Sequence, residues 1–242
     1  MSLPYWFYQW FWGSLDWLFP PVCGGCNRAG FRWCPECRQQ VQIVPEPVCR
    51  TCGLPLSHPG LCPNYKKSVP PYEMLRSWLV FEGPIRHALL NLKYHRNVAL
   101  SDALAQPLAD YVGKLSWTVD LVIPVPLGKE RMKERGYNQI GLVAMPLAAV
   151  NHWHYAPRAL NRFRETKSQV GLTAKERKAN VSGAFLADKE LVSGATILLM
   201  DDVATTGATI SACAAALMNA NVKTVYALTL ARALPHHDIN LV

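Results

Sequence analysis

The stretch from Ala195 to Ala220 constrains this chain more than any other. Thr196 to Met200 is an unbroken apolar run, which suits a strand buried on both faces of a parallel sheet. Two acids follow, Asp201 and Asp202, then a bend of Thr205, Thr206, Gly207, Ala208 and Thr209, and then a small-residue helix to Asn219. In open α/β sheets, ligands sit beyond the carboxyl ends of the strands. The bend's backbone N–H groups and the following helix N-terminus favour a phosphate, and Gly207 permits the tight curvature. Ionised carboxylates only accept hydrogen bonds, so Asp201 and Asp202 suit sugar hydroxyls. A capped helix after an ordinary strand accounts for one residue of this set, not for all of them.

The surrounding pattern agrees with an α/β sheet. Residues 74–81, 119–125 and 222–229 read as strands. Helices are expected from Gly83-Pro84, from Ala99 to Val112, and from Tyr137 to Val150. Strands alternating with helices indicate a parallel sheet flanked by helices. With 242 residues there is room for one such domain and a small appendage. The boundary is set near Pro70-Pro71: residues 1–70 form an aromatic N-terminus and Cys-rich module, and 71–242 form the α/β domain.

Seven of the eight cysteines lie between Cys23 and Cys62. Cys23, Cys26, Cys34 and Cys37 form two C-x2-C pairs, the spacing of a structural Zn²⁺ site. A second set is incomplete. Cys49 and Cys52 form a knuckle, but Cys62 is followed by Pro63-Asn64-Tyr65 and lacks a thiolate partner. His58 is a candidate fourth ligand, since imidazole also suits zinc. Loss of this metal, and pairing of Cys34 and Cys37 with Cys49 and Cys52, remain open alternatives. Metal-type spacing rather than disulfides favours a reducing cytoplasm. Cys213 reads as a core residue. Trp6, Trp10, Trp12 and Trp17 crowd an apolar N-terminal stretch that also holds Pro4, Gly13, Asp16, Pro20 and Pro21; no membrane span and no secretory signal are expected there.

The net charge of +8 is uneven: residues 129–178 hold eleven Lys and Arg against four Asp and Glu, a net +7. Such a segment suits phosphates on a small ligand or a nucleic-acid backbone, though a solvated surface gives the same count.

ILLMDDVATTGATI resembles the 5-phosphoribosyl-1-pyrophosphate (PRPP) motif of type I phosphoribosyltransferases. The resemblance extends to the ComF competence family through FPPVCGGC, the CxxCG at Cys49, LKYH at Leu92, VIPVPLGKERMKERGYNQ at Val122, R-x-R-x-T-x-x-Q at Arg162 and ER-x-x-NVSGAF at Glu176. It implies a double zinc ribbon joined to a type I phosphoribosyltransferase-like domain with a hood at about 71–115. It implies that Asp201 and Asp202 hold the ribose 2′- and 3′-hydroxyls while Thr205 to Thr209 hold the 5′-phosphate. Arg131 and Arg135 would contact pyrophosphate with Mg²⁺. Arg158 to Lys178 would be a mobile catalytic loop carrying Arg162, Arg164 and Lys167. Single-stranded DNA and competence proteins are the implied partners. No feature names an acceptor base, so transferase activity and simple PRPP or nucleotide sensing both stay open.

Overall fold

A computed structural model describes residues 20–63, 69–95, 97, 99–164 and 173–234. The aromatic N-terminus through Phe19, Tyr65 and Lys167 fall outside them. Elements run in order α1 (Pro35–Gln40), β1 (Met74–Val80), α2 (Gly83–Tyr94), α3 (Leu100–Gly113), β2 (Leu121–Pro124), α4 (Lys129–Arg135), α5 (Gln139–Val150) and β3 (His154–Tyr155). They continue with β4 (Leu160–Arg162), α6 (Ala174–Val181), β5 (Phe185–Ala187), α7 (Lys189–Val192), β6 (Thr196–Ala204), α8 (Ala208–Asn219) and β7 (Thr224–Arg232).

Five strands form one sheet in the order β1-β7-β6-β2-β3. Every pairing in it is parallel. The central β6 lies between β7 and β2, so its apolar run meets helices on both faces. Ile197, Leu198, Leu199 and Met200 are fully buried, as a doubly covered strand requires. Leu198 and Met200 face a core shared with α2, α3 and α5, whereas Ile197 and Leu199 face a core shared with α8. Alternation along one strand thus welds both layers. Ser77 and Thr229, side by side on β1 and β7, satisfy each other at 2.7 Å within the sheet.

The basic segment is more structured than a charged loop. Lys129–Arg135 is helical and closes at Gly136 with φ 80°, the left-handed cap that glycine adopts without strain. At the two ends of the segment expected to be a mobile loop lie β4, which pairs antiparallel with β5, and the first turns of α6; residues 165–172 between them fall outside the described residues. The pairing is anchored by Leu160 and Phe185, both buried. Among the described residues no helix is long and apolar enough to cross a membrane.

The N-terminal module docks on the helical layer. Trp33, Cys23, Cys34 and Cys37 share one buried cluster with Ile85 and Leu89 of α2 and Leu100 of α3. Asn91 donates to the Gly24 carbonyl at 2.7 Å. Gly24 and Gly25 are required by proximity: a side chain at either would run into Leu100 or into Trp33 and Pro84.

Candidate functional site: an acid pair, a phosphate-type bend and two cysteine clusters

The carboxyl end of β6 delivers Asp201 and Asp202. The bend after it ends at Gly207, whose φ of 72° is left-handed, and Ala208 then opens the 12-residue α8. The N–H of Ala208 points to the Thr206 hydroxyl at 3.4 Å. A strand, an acid pair, a tight bend and a helix N-terminus therefore meet at one place, beyond the edge of the sheet where such folds bind ligands.

The two acids are not equivalent. Asp202 Oδ2 accepts from Lys93 Nζ at 2.7 Å and from Gln139 Nε2 at 2.9 Å, and its Oδ1 accepts from Val203 N at 2.7 Å. Asp201 Oδ1 accepts from the backbone N–H of Asp202, at 2.9 Å. A carboxylate has about four acceptor positions, so Asp201 keeps capacity for a ligand. Asp202 is anchored. Burial opposes the charge on Asp202, but Lys93, Gln139 and the Val203 amide outweigh it and hold the group below the ordinary carboxylate range. Burial and the neighbouring negative charge push Asp201 up to about 7.

Lys93 leaves α2 and Gln139 opens α5, so two helices converge on one carboxylate of β6. Arg135 extends the chain of contacts. It donates to Gln139 Oε1 at 2.9 Å, and its guanidinium lies 5.2 Å over the Tyr94 ring. Lys93→Met strands a buried carboxylate, a change that costs about 3 kcal/mol. The stability that Asp202 gains from its depressed pKa is present above the unfolded carboxylate value near 4 and is lost on acidification. In the variant the sign reverses, and stability falls as the pH rises. Thermal unfolding at pH 5 and pH 7.5 checks this: the deficit relative to wild type should be larger at pH 7.5.

The cations implied for the pyrophosphate have different partners: Arg135 reaches the acid pair through Gln139, and the Arg162 charge acts on Asp201. Arg131 is half-buried on α4. Arg164 donates to the carbonyls of Asn180 and Ser182, at 3.2 and 2.6 Å, and so ties β4's end to α6 rather than to the bend. Arg177 of α6 reaches the bend. It is 8% exposed and donates to Thr205 Oγ1 at 3.0 Å. Sequence reasoning misses it, as it misses Gln139. Arg177 lies in a run of unremarkable charges, and nothing local marks which of them turns inward.

The cysteines form two groups. Sγ atoms of Cys23, Cys26, Cys34 and Cys37 all lie within 4.8 Å of one another, as do those of Cys49, Cys52 and Cys62. This settles the pairing in favour of sequential sets. Near neighbours stand 3.7 Å apart for Cys23 and Cys37, and 3.6 Å for Cys26 with Cys34 and Cys52 with Cys62. Those separations exclude disulfides, which need about 2.05 Å. They match the edge of a zinc tetrahedron, about 3.8 Å for metal–sulfur bonds of about 2.3 Å. Amides also point at sulfur: Cys34 N to Cys23 Sγ and Cys62 N to Cys49 Sγ are both 3.3 Å. Burial raises the Cys23 and Cys49 thiols, but backbone amides outweigh it and bring each down to about 7: those of Cys34, Gly25 and Cys26 at Cys23, and those of Cys52, Cys62 and Thr51 at Cys49. The donor sets fit a structural Zn²⁺. His58 is not brought into the second group; it is exposed, with its ring nitrogen 3.1 Å from the Ser57 hydroxyl.

The double zinc ribbon domain family matches residues 14–65. The DNA utilization protein YhgH of Salmonella typhimurium is 32% identical over 222 residues, covering 88% of this chain and 91% of that protein. Competence protein F of Haemophilus influenzae is 29% identical, over 83% and 90% of the two chains. Competence protein ComFC of Bacillus subtilis is 27% identical, over 76% and 77%. Among solved structures, an allosteric regulatory enzyme of purine biosynthesis aligns with TM-score 0.39 at 18% identity, over 55% of this chain and 26% of that one. An adenine phosphoribosyltransferase from Thermoanaerobacter pseudethanolicus aligns with TM-score 0.35 at 16% identity, over 60% and 85%.

Proposed function

Because the chain belongs to the ComF family, whose relatives carry the names competence protein and DNA utilization protein, we propose that it serves DNA uptake or utilization through a pocket that takes a 5-phosphoribosyl group. The observation that carries the ligand reading is the union of the acid pair with the Thr205–Gly207 bend at the head of α8. Asp201 accepts from the ribose hydroxyls, Asp202 fixes the geometry through Lys93 and Gln139, and the bend's amides take the 5′-phosphate. Arg177 supports the same phosphate, since guanidinium binds phosphate through parallel N–H groups.

PRPP with Mg²⁺ is the simplest ligand of this description, because its pyrophosphate gives the basic segment something to bind. Whether a base or amine is then transferred depends on an acceptor that no residue here names. Arg177→Gln should weaken PRPP about tenfold, one charge-assisted hydrogen bond's worth. Arg177→Lys should recover only part of the loss. Calorimetric titration reads both, and unaltered affinity in Arg177→Gln would remove Arg177 from the phosphate site.

A second reading, contact with single-stranded DNA, is favoured by the concentration of positive charge in residues 129–178. Charge reversal at Arg131, Arg135 and Arg164 should weaken DNA and flatten its salt dependence. Binding that does not respond to salt would exclude this use of the segment.

A further inference from the structure

Among the described residues the second cysteine cluster has three ligands where the first has four. Three chain thiolates, Cys49, Cys52 and Cys62, converge, and among the described residues no fourth Cys, His, Asp or Glu joins them. The first site offers four cysteines, the number that closes a zinc tetrahedron. The sequence offers Tyr65 where a second C-x2-C pair would end. The nearby imidazole, His58, is exposed and turned to Ser57.

Positive charge surrounds this cluster. Arg76 donates to the carbonyl of Arg50 at 3.0 Å and to that of Cys49 at 3.5 Å. Arg232, 4% exposed, reaches from the end of β7 to the Cys52 carbonyl at 2.8 Å. A cleft of about 320 Å³ borders the same knuckles, lined by Arg50, Thr51, Gly60, Leu61, Glu73 and Met74. A divalent ion with three thiolates carries one net negative charge, and a fourth thiolate makes it two. The Arg232 charge, which acts on the Cys52 thiol, favours the more negative complex.

We propose that the second ribbon site holds its metal with three chain thiolates and an exchangeable fourth donor, and that this position takes a small exogenous thiolate. Binding forms one metal–sulfur bond. The thiol's proton goes to solvent, with any water that held the position, and no electron is transferred. The inference does not depend on the phosphoribosyl reading.

Cobalt-substituted full-length protein tests it, because thiolate-to-cobalt charge transfer grows with each bound sulfur. Two cobalt ions per chain are expected. Titration with 2-mercaptoethanol should raise the charge-transfer band saturably by about one seventh, one thiolate added to the four and three of the chain. Tyr65→Cys, which restores the C-x2-C spacing, should abolish the rise, and His58→Ala should leave it intact. A single cobalt per chain overturns the proposal. So does a wild-type band that does not rise with thiol, or one that rises only once His58 is removed.

Discussion

Asp201→Asn combined with Asp202→Asn is expected to abolish PRPP binding while the domain stays folded. Asp201 accepts from the ligand hydroxyls through charge-assisted hydrogen bonds of about 1.5–3 kcal/mol each, and loss of the Asp202 charge releases Lys93 and Gln139, which hold the acid pair in place. Losing both carboxylates therefore weakens binding by about 100-fold or more. Folding should survive, because the substitution replaces like with like in volume and removes a repulsion: the proximity of the two charges is one reason Asp201 is held near 7. The single variants should divide the effect. Asp201→Asn removes the acceptor with open positions and should act on affinity alone. Asp202→Asn unties Lys93 and Gln139 and should act on affinity and stability together. Calorimetry with PRPP, read beside thermal unfolding of each variant, separates the two. Undiminished affinity in the double variant would detach the acids from the ribose.

Removing metal from the first cysteine site should cost the whole protein stability, not the ribbon alone. Cys23, Cys34 and Cys37 are buried in one cluster with residues of α2 and α3. Cys34 also accepts from Cys37 N at 3.4 Å, which caps α1. Without metal these thiols lose the ion that orders them, and metal binding in such ribbons supplies folding free energy directly. Gly24 and Gly25 then no longer seat against Leu100 and Pro84, and the face of α2 and α3 that they cover is exposed. A loss of about 4 kcal/mol lowers the melting temperature by roughly 10 °C in a protein of this size. Cys34→Ser, or chelation followed by calorimetric scanning, should show that drop. A metal-free protein that melts with the wild type would mean that packing alone holds the ribbon in place.

What the chain's letters revealed depended on how local the chemistry is. The β6 run and the acid pair are readable because an apolar strand, two acids and a threonine-rich bend are contiguous. The first four cysteines are readable because their spacing fits one ion. The strands β3, β4 and β5 were not, since two or three residues carry no period. Helix α4 buries none of its residues, so no apolar stripe announced it. The rest of the site is long-range. Lys93 joins Asp202 from α2, Gln139 is 63 residues from the acid it holds, and Arg177 is 28 from Thr205. Only the parallel register that places β6 between β7 and β2 brings these together. Likewise His58 lies between Cys52 and Cys62 in sequence, yet faces solvent beside Ser57.

The sharpest question is whether the bend and its acids take a phosphorylated ribose at all. Titrating wild-type protein with PRPP and Mg²⁺ in a calorimeter answers it. Saturable heat at one ligand per chain is expected, with ribose 5-phosphate competing for the same place. No heat from PRPP up to millimolar concentration, in protein that carries its zinc and melts cooperatively, would contradict that assignment.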